Sequence, residues 1–171
     1  MRSSVLFCII FLLFEIGVIF AQDKKPNFAG EWNLDRDKSE LGGGGGGRGG
    51  GMMAAKMVVT QEANKLVVES TRTNRDGEEM TVSATYTLDG KECENNANNR
   101  TSKSTAVWSK DGKSLEINTA TTFSRNGQSF TMNEKSIWSL DSGNLMINAT
   151  RSSQRGDRTS KLVYTKAAKK M

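Results

Sequence analysis

The chain of 171 residues holds no histidine. That removes the commonest general base, the usual zinc ligand and the partner that activates a nucleophilic Ser or Cys. Cys8 lies within an apolar N-terminal run, and Cys93 sits between Glu92 and Glu94. Flanking carboxylates raise a thiol pKa, so Cys93 reads as a bystander with no internal disulfide partner once a leader is removed. The acidic residues scatter over turns and polar faces, without the paired spacing of a glycosidase or the oxygen cluster of a hard cation site. Residues 42–51 are nine glycines interrupted by Arg48. No Gly-Lys-Ser/Thr follows, so they read as a flexible surface loop and not a phosphate cradle. No enzyme, catalytic residue, metal ligand or cofactor is expected.

The residue types that remain suit binding. Arg72 and Glu134 could orient a polar group, while Trp108, Phe130, Met132 and Trp138 supply apolar contact. They can meet only if the elements that carry them turn those side chains to one interior.

Nine strand-like runs do so: 28–34, 56–62, 65–73, 79–88, 101–109, 114–124, 129–140, 144–152 and 159–166. Period-two alternation marks half-buried strands. In the fourth run Met80, Val82, Ala84, Tyr86 and Leu88 share one face; in the eighth, Leu145, Ile147 and Ala149 do. Asp76-Gly77, Asp111-Gly112 and Asn126-Gly127 tolerate positive φ at two-residue hairpin turns. Successive hairpins imply an all-β fold: a single up-and-down antiparallel β-barrel of about eight to nine strands, closed so that no edge is left unpaired. Outer faces rich in Thr, Ser, Asn, Glu and Lys exclude a barrel with its outside in lipid.

The formal charge is +5 with both signs interspersed, and no basic stripe interleaved with aromatics suggests nucleic acid. Arg2, the apolar run from Val5 to Phe20 and the small Ala21 read as an export signal over 1–21. The barrel domain then occupies 22–171, in the periplasm or outside the cell, and does not span a membrane after signal removal. A retained anchor is the other reading, although Glu15 and the shortness of the run speak against a span.

Gly30-Glu31-Trp32, within 28–34, resembles the Gly-x-Trp first strand of lipocalins. Asp37-Lys38-Ser39 and the stretch 108–115, Trp-Ser-Lys-Asp-Gly-Lys-Ser-Leu, resemble short bacterial exported proteins of lipocalin-like type, over most of 26–166. The resemblance implies a calycin-type barrel with an arginine packed over the first-strand Trp. If the first run starts at the closed base, odd runs end at the mouth and even runs at the base. The eighth then brings Arg151, inward in register with Leu145, Ile147 and Ala149, to Trp32. Such a cation–π contact contributes about 1–2 kcal/mol; the other reading is a solvated Arg beside a hairpin. This chain departs from lipocalins in having no disulfide and, over 153–157, room for a turn but not for their helix.

The same alternation puts Arg72, Trp108 and Trp138 near the mouth and Tyr86 nearer the base. The expected function is non-catalytic binding of a small hydrophobic or amphipathic molecule. The alternatives are core filling, with Arg72 and Glu134 neutralising each other, and an envelope interaction module with a filled barrel and no ligand.

Overall fold

The alternating runs form strands that follow one another around a single sheet, because each hairpin turn reverses the chain before it can cross over. The structure, a computed structural model, describes residues 24–41, 53–74, 76–97, 99–153 and 156–168. The segment 1–21 read as a signal and the glycine-rich 42–51 lie outside the described residues.

Ten strands result: β1 (Gly30–Glu40), β2 (Lys56–Gln61), β3 (Lys65–Thr73), β4 (Glu79–Thr87), β5 (Cys93–Ala97), β6 (Arg100–Trp108), β7 (Ser114–Arg125), β8 (Gln128–Asp141), β9 (Asn144–Ser153) and β10 (Gly156–Lys166). Their spatial order is β4-β3-β2-β1-β10-β9-β8-β7-β6-β5, and every pairing is antiparallel. The fold is therefore the all-β, up-and-down antiparallel barrel expected, with one strand more than the runs indicated. The extra strand is β5, whose Cys-Glu-Asn-Asn-Ala carries neither a β-branched nor an aromatic residue. Among the described residues no helix is long and apolar enough to cross a membrane.

The barrel is nearly closed. Its two edge strands, β4 and β5, lie side by side without a backbone ladder, and Asn95 bridges them. The Asn95 side chain accepts from the Thr85 amide at 2.7 Å and donates to the Thr85 carbonyl at 3.0 Å. One carboxamide thus supplies the donor and the acceptor that a paired residue would have offered. On the far side, β1 and β10 shift register between Asp35 and Glu40. Ser39 mends that bulge: its Oγ accepts from the Val163 amide at 3.0 Å and donates to the Asp35 carbonyl.

Strand direction defines two ends. β1, β3, β5, β7 and β9 run away from the end where the N-terminal segment lies, and the even strands return to it. The turn at Asn126 and Gly127, both with positive φ (53° and 74°), closes the longest hairpin at the far end.

Across β6 to β10 the registers stack inward side chains in layers. The lowest layer is Trp108, Leu115, Trp138, Ile147 and Leu162, and above it come Ala106, Ile117, Ser136, Ala149 and Ser160. Phe28 plugs the near end beneath them. It stacks on Trp108 at 5.8 Å between centroids and meets Trp138 edge-on at 6.0 Å. Polar contacts fix the plug: Trp32 Nε1 donates to the Phe28 carbonyl at 2.9 Å, and the Phe28 amide donates to Gln61 Oε1 at 2.8 Å. Gly30, with φ at 144°, lets the chain swing from plug to strand. Phe28, Leu66, Leu115 and Leu145 have no exposed surface and Trp32 has 1%, so the near half of the interior is filled. Each such side chain contributes roughly 1.5–3 kcal/mol on burial.

Candidate ligand-binding site

Above the packed floor the interior changes character. The next layer across β6 to β10 is Ser104, Thr119, Glu134, Arg151 and Arg158, followed by Ser102, Thr121 and Met132 and then by Arg100, Phe123 and Phe130. From the opposite wall, Ser70 and Val82 face each other across β3–β4, with Arg72 opposite Met80 one step nearer the rim. The side chains of Glu134 and Arg151 keep 32% and 36% of their surface exposed. Val82, Met132, Phe123, Phe130 and Arg72 are half-buried. Inward side chains in contact with solvent mean that the far half opens as a lumen.

The walls alternate polar belts with apolar surface. Ser104 and Thr119 share a hydrogen bond at 2.9 Å, as do Ser102 and Thr121. Phe123 and Phe130 stack at 5.7 Å, and the Arg100 guanidinium lies 5.4 Å over the Phe123 ring. Arg151 donates from Nε to Glu134 Oε2 at 2.9 Å and from a second nitrogen to the same oxygen. Partial burial, then the positive charges of Arg100 and Arg151, lower the Arg72 pKa from its ordinary value, with Glu134 opposing them. Tyr86, below this level, is pushed up to about 12 by burial and by the negative fields of Glu134 and Cys93. These groups therefore share one electrostatic neighbourhood across the lumen. Among the described residues no group of three His, Cys, Asp or Glu could hold a metal ion.

Of the residues expected from sequence, Arg72, Phe130, Met132 and Glu134 do come to the open half. Trp108 and Trp138 do not. They pack against Phe28 in the floor, where Trp138 Nε1 donates to Ser136 Oγ at 3.1 Å and Lys25 lies 5.2 Å over the Trp108 ring. The expected contact of Arg151 with Trp32 is likewise replaced. Arg151 lies in the open half on Glu134, and the cation over Trp32 is Lys166, 5.4 Å from the ring. Glu134 thus pairs with Arg151 and not with Arg72.

One cause accounts for these corrections. β5 was not counted among the runs, and an uncounted strand reverses the direction of every strand after it. Faces survive such an error, because inward or outward depends only on the period of two. Ends do not. Sequence reasoning also omitted Arg100 and left Phe123 out of the pocket, although Arg100 continues the inward series Ser102, Ser104, Ala106 and Trp108, and Phe123 shares a face with Leu115 and Ile117.

No protein-family model matches the chain, and no curated protein matches it by sequence. Among solved structures it is similar to zebrafish ileal bile acid-binding protein in complex with cholic acid, at 12% identity and a TM-score of 0.41, over 82% of this chain and 98% of that one.

Proposed function

We propose that this protein is a non-catalytic binding protein that holds a small amphipathic molecule in the open half of its barrel. The observation that carries the reading is the change in the lumen from a filled aromatic floor to half-exposed Phe123, Phe130, Met132 and Val82 beside Arg72 and Glu134. A barrel evolved only to be filled would continue its apolar packing to the rim; this one stops halfway and lines the remainder with mixed surface. The sequence of 1–21 supports export, with the mature chain beginning at Gln22 in the periplasm or outside the cell.

The test is direct. Protein purified under native conditions from its own host should release a small molecule on denaturation, detected by mass spectrometry. Met132→Trp, which fills the lumen from within, should abolish that release while keeping the β-sheet circular dichroism. Equal release from both proteins would refute the reading. Intact mass of the exported protein checks the mature N-terminus.

A further inference from the structure

The two kinds of basic side chain are sorted to opposite faces of the wall. In β2 to β10, Lys56, Lys65, Lys103, Lys135 and Lys161 occupy outward register positions, and Lys166 alone turns in, at the floor. The arginines whose side chains are described do the reverse: Arg72, Arg100, Arg151 and Arg158 occupy inward positions, each in the open half. Solubility would not sort them this way, since either residue serves on a wet surface. The guanidinium differs from the ammonium in presenting a planar fork of donors that grips a carboxylate, sulfonate or phosphate by two hydrogen bonds.

The inward charges do not balance. Among the described residues of β2 to β10, Glu134 is the single carboxylate in an inward position, and Arg151 already pairs with it. Arg72, Arg100 and Arg158 remain; Arg72 is half-buried, partly withdrawn from water and close enough to Arg100 to feel its charge, while Arg100 and Arg158 are exposed. Placing like charges in a half-buried space costs stability unless an opposite charge arrives.

We propose that the ligand bears an anionic head group, clasped between Arg72 on β3 and Arg100 on β6, on the two sides of the β4–β5 seam, with its apolar part against Phe123, Phe130 and Met132. This rests on the binding function above and names the charge of the molecule bound. The Glu134–Arg151 pair limits the excess positive field.

Two dyes of the same skeleton provide the test: anilinonaphthalenesulfonate and its uncharged parent, phenylnaphthylamine. The sulfonate dye should bind roughly tenfold tighter at low salt, a gap that narrows as salt screens the head group. R72Q and R100Q should each shrink the gap through the sulfonate dye alone, and the double variant should erase it. E134Q should widen it. K110Q, which removes one charge at the opposite end of the barrel, should leave it as it is. Equal affinity for both dyes, or a gap indifferent to R72Q and R100Q, overturns the anionic head group while the lumen reading stands. Failure of both dyes to bind overturns the two together.

Discussion

The side chain of Asn95 holds both backbone polar groups of Thr85 and so links the two edge strands of the barrel. Among the described residues, closure on this side rests on this carboxamide, where the other neighbouring strands share a ladder. Two net hydrogen bonds in a half-buried setting contribute about 2 kcal/mol. Asn95→Ala should lower the unfolding free energy by about that amount, and urea denaturation measures it. Hydrogen exchange sharpens the test, because the Thr85 amide should lose its protection while amides of the β7–β8 ladder keep theirs. Unchanged protection at Thr85 would mean that the seam is closed by something else.

The same seam explains what could be read from sequence and what could not. Every run with β-branched or aromatic residues at alternate positions became a strand, because burial of one face is what their pattern encodes. β5 is different. It pairs through its backbone with β6 alone, and its edge is held by Asn95, a residue that sequence reasoning assigns to turns. Missing it inverted the ends for Trp108, Trp138 and Arg151 and left their inward orientation correct. Arg72, ahead of β5 in the chain, was assigned both its face and its end correctly. The floor was legible as hydrophobic, but that Phe28 would plug it depended on the chain path before β1, which no periodicity records.

Phe28 has no exposed surface and joins Trp108 and Trp138 in a single aromatic cluster. Phe28→Ala removes the plug and leaves a cavity under two indole rings. The expected cost is about 3–4 kcal/mol, read as a lower denaturation midpoint. Tryptophan emission should also shift to the red as water reaches the floor. If the lumen is a separate compartment, anionic dye binding by the folded variant should remain.

Both tyrosines of the chain, Tyr86 and Tyr164, are held well above the ordinary phenol range, each at about 12. Burial is the leading cause for each, and for Tyr164 the only one: it lies between Leu34 and Leu145, with its hydroxyl donating to the Ala54 carbonyl at 3.0 Å. A folded-state pKa above the unfolded value of about 10 means that the folded chain binds the proton more tightly. The stabilisation is complete below pH ~10 and is lost as pH rises through about 12. For Tyr164, 1% exposed, the loss amounts to roughly 2–3 kcal/mol. Absorbance at the phenolate wavelength should stay flat through the ordinary tyrosine range and then rise together with loss of β-sheet signal. A smooth titration centred near pH 10 in a folded protein would contradict the burial of both rings.

Arg72 is the place where stability and binding should pull apart. Its charge is partly desolvated and faces Arg100 and Arg151, with Glu134 giving back only part of what they cost. Neutralising it removes the repulsion and keeps a side-chain stem opposite Met80, so Arg72→Gln should raise Tm by about 2 °C at low salt. Added salt should narrow that gain, because screening already weakens the repulsion in the parent protein. Arg151→Gln has the opposite expectation. It strips Glu134 of the partner that donates twice to one carboxylate oxygen, and about 1 kcal/mol of stability should go with it. It should leave Trp32 fluorescence unchanged, whereas Lys166→Gln should alter it. Should Arg72→Gln destabilise the protein at every salt concentration, the guanidinium would be part of the packing and not a charge waiting for a counterion.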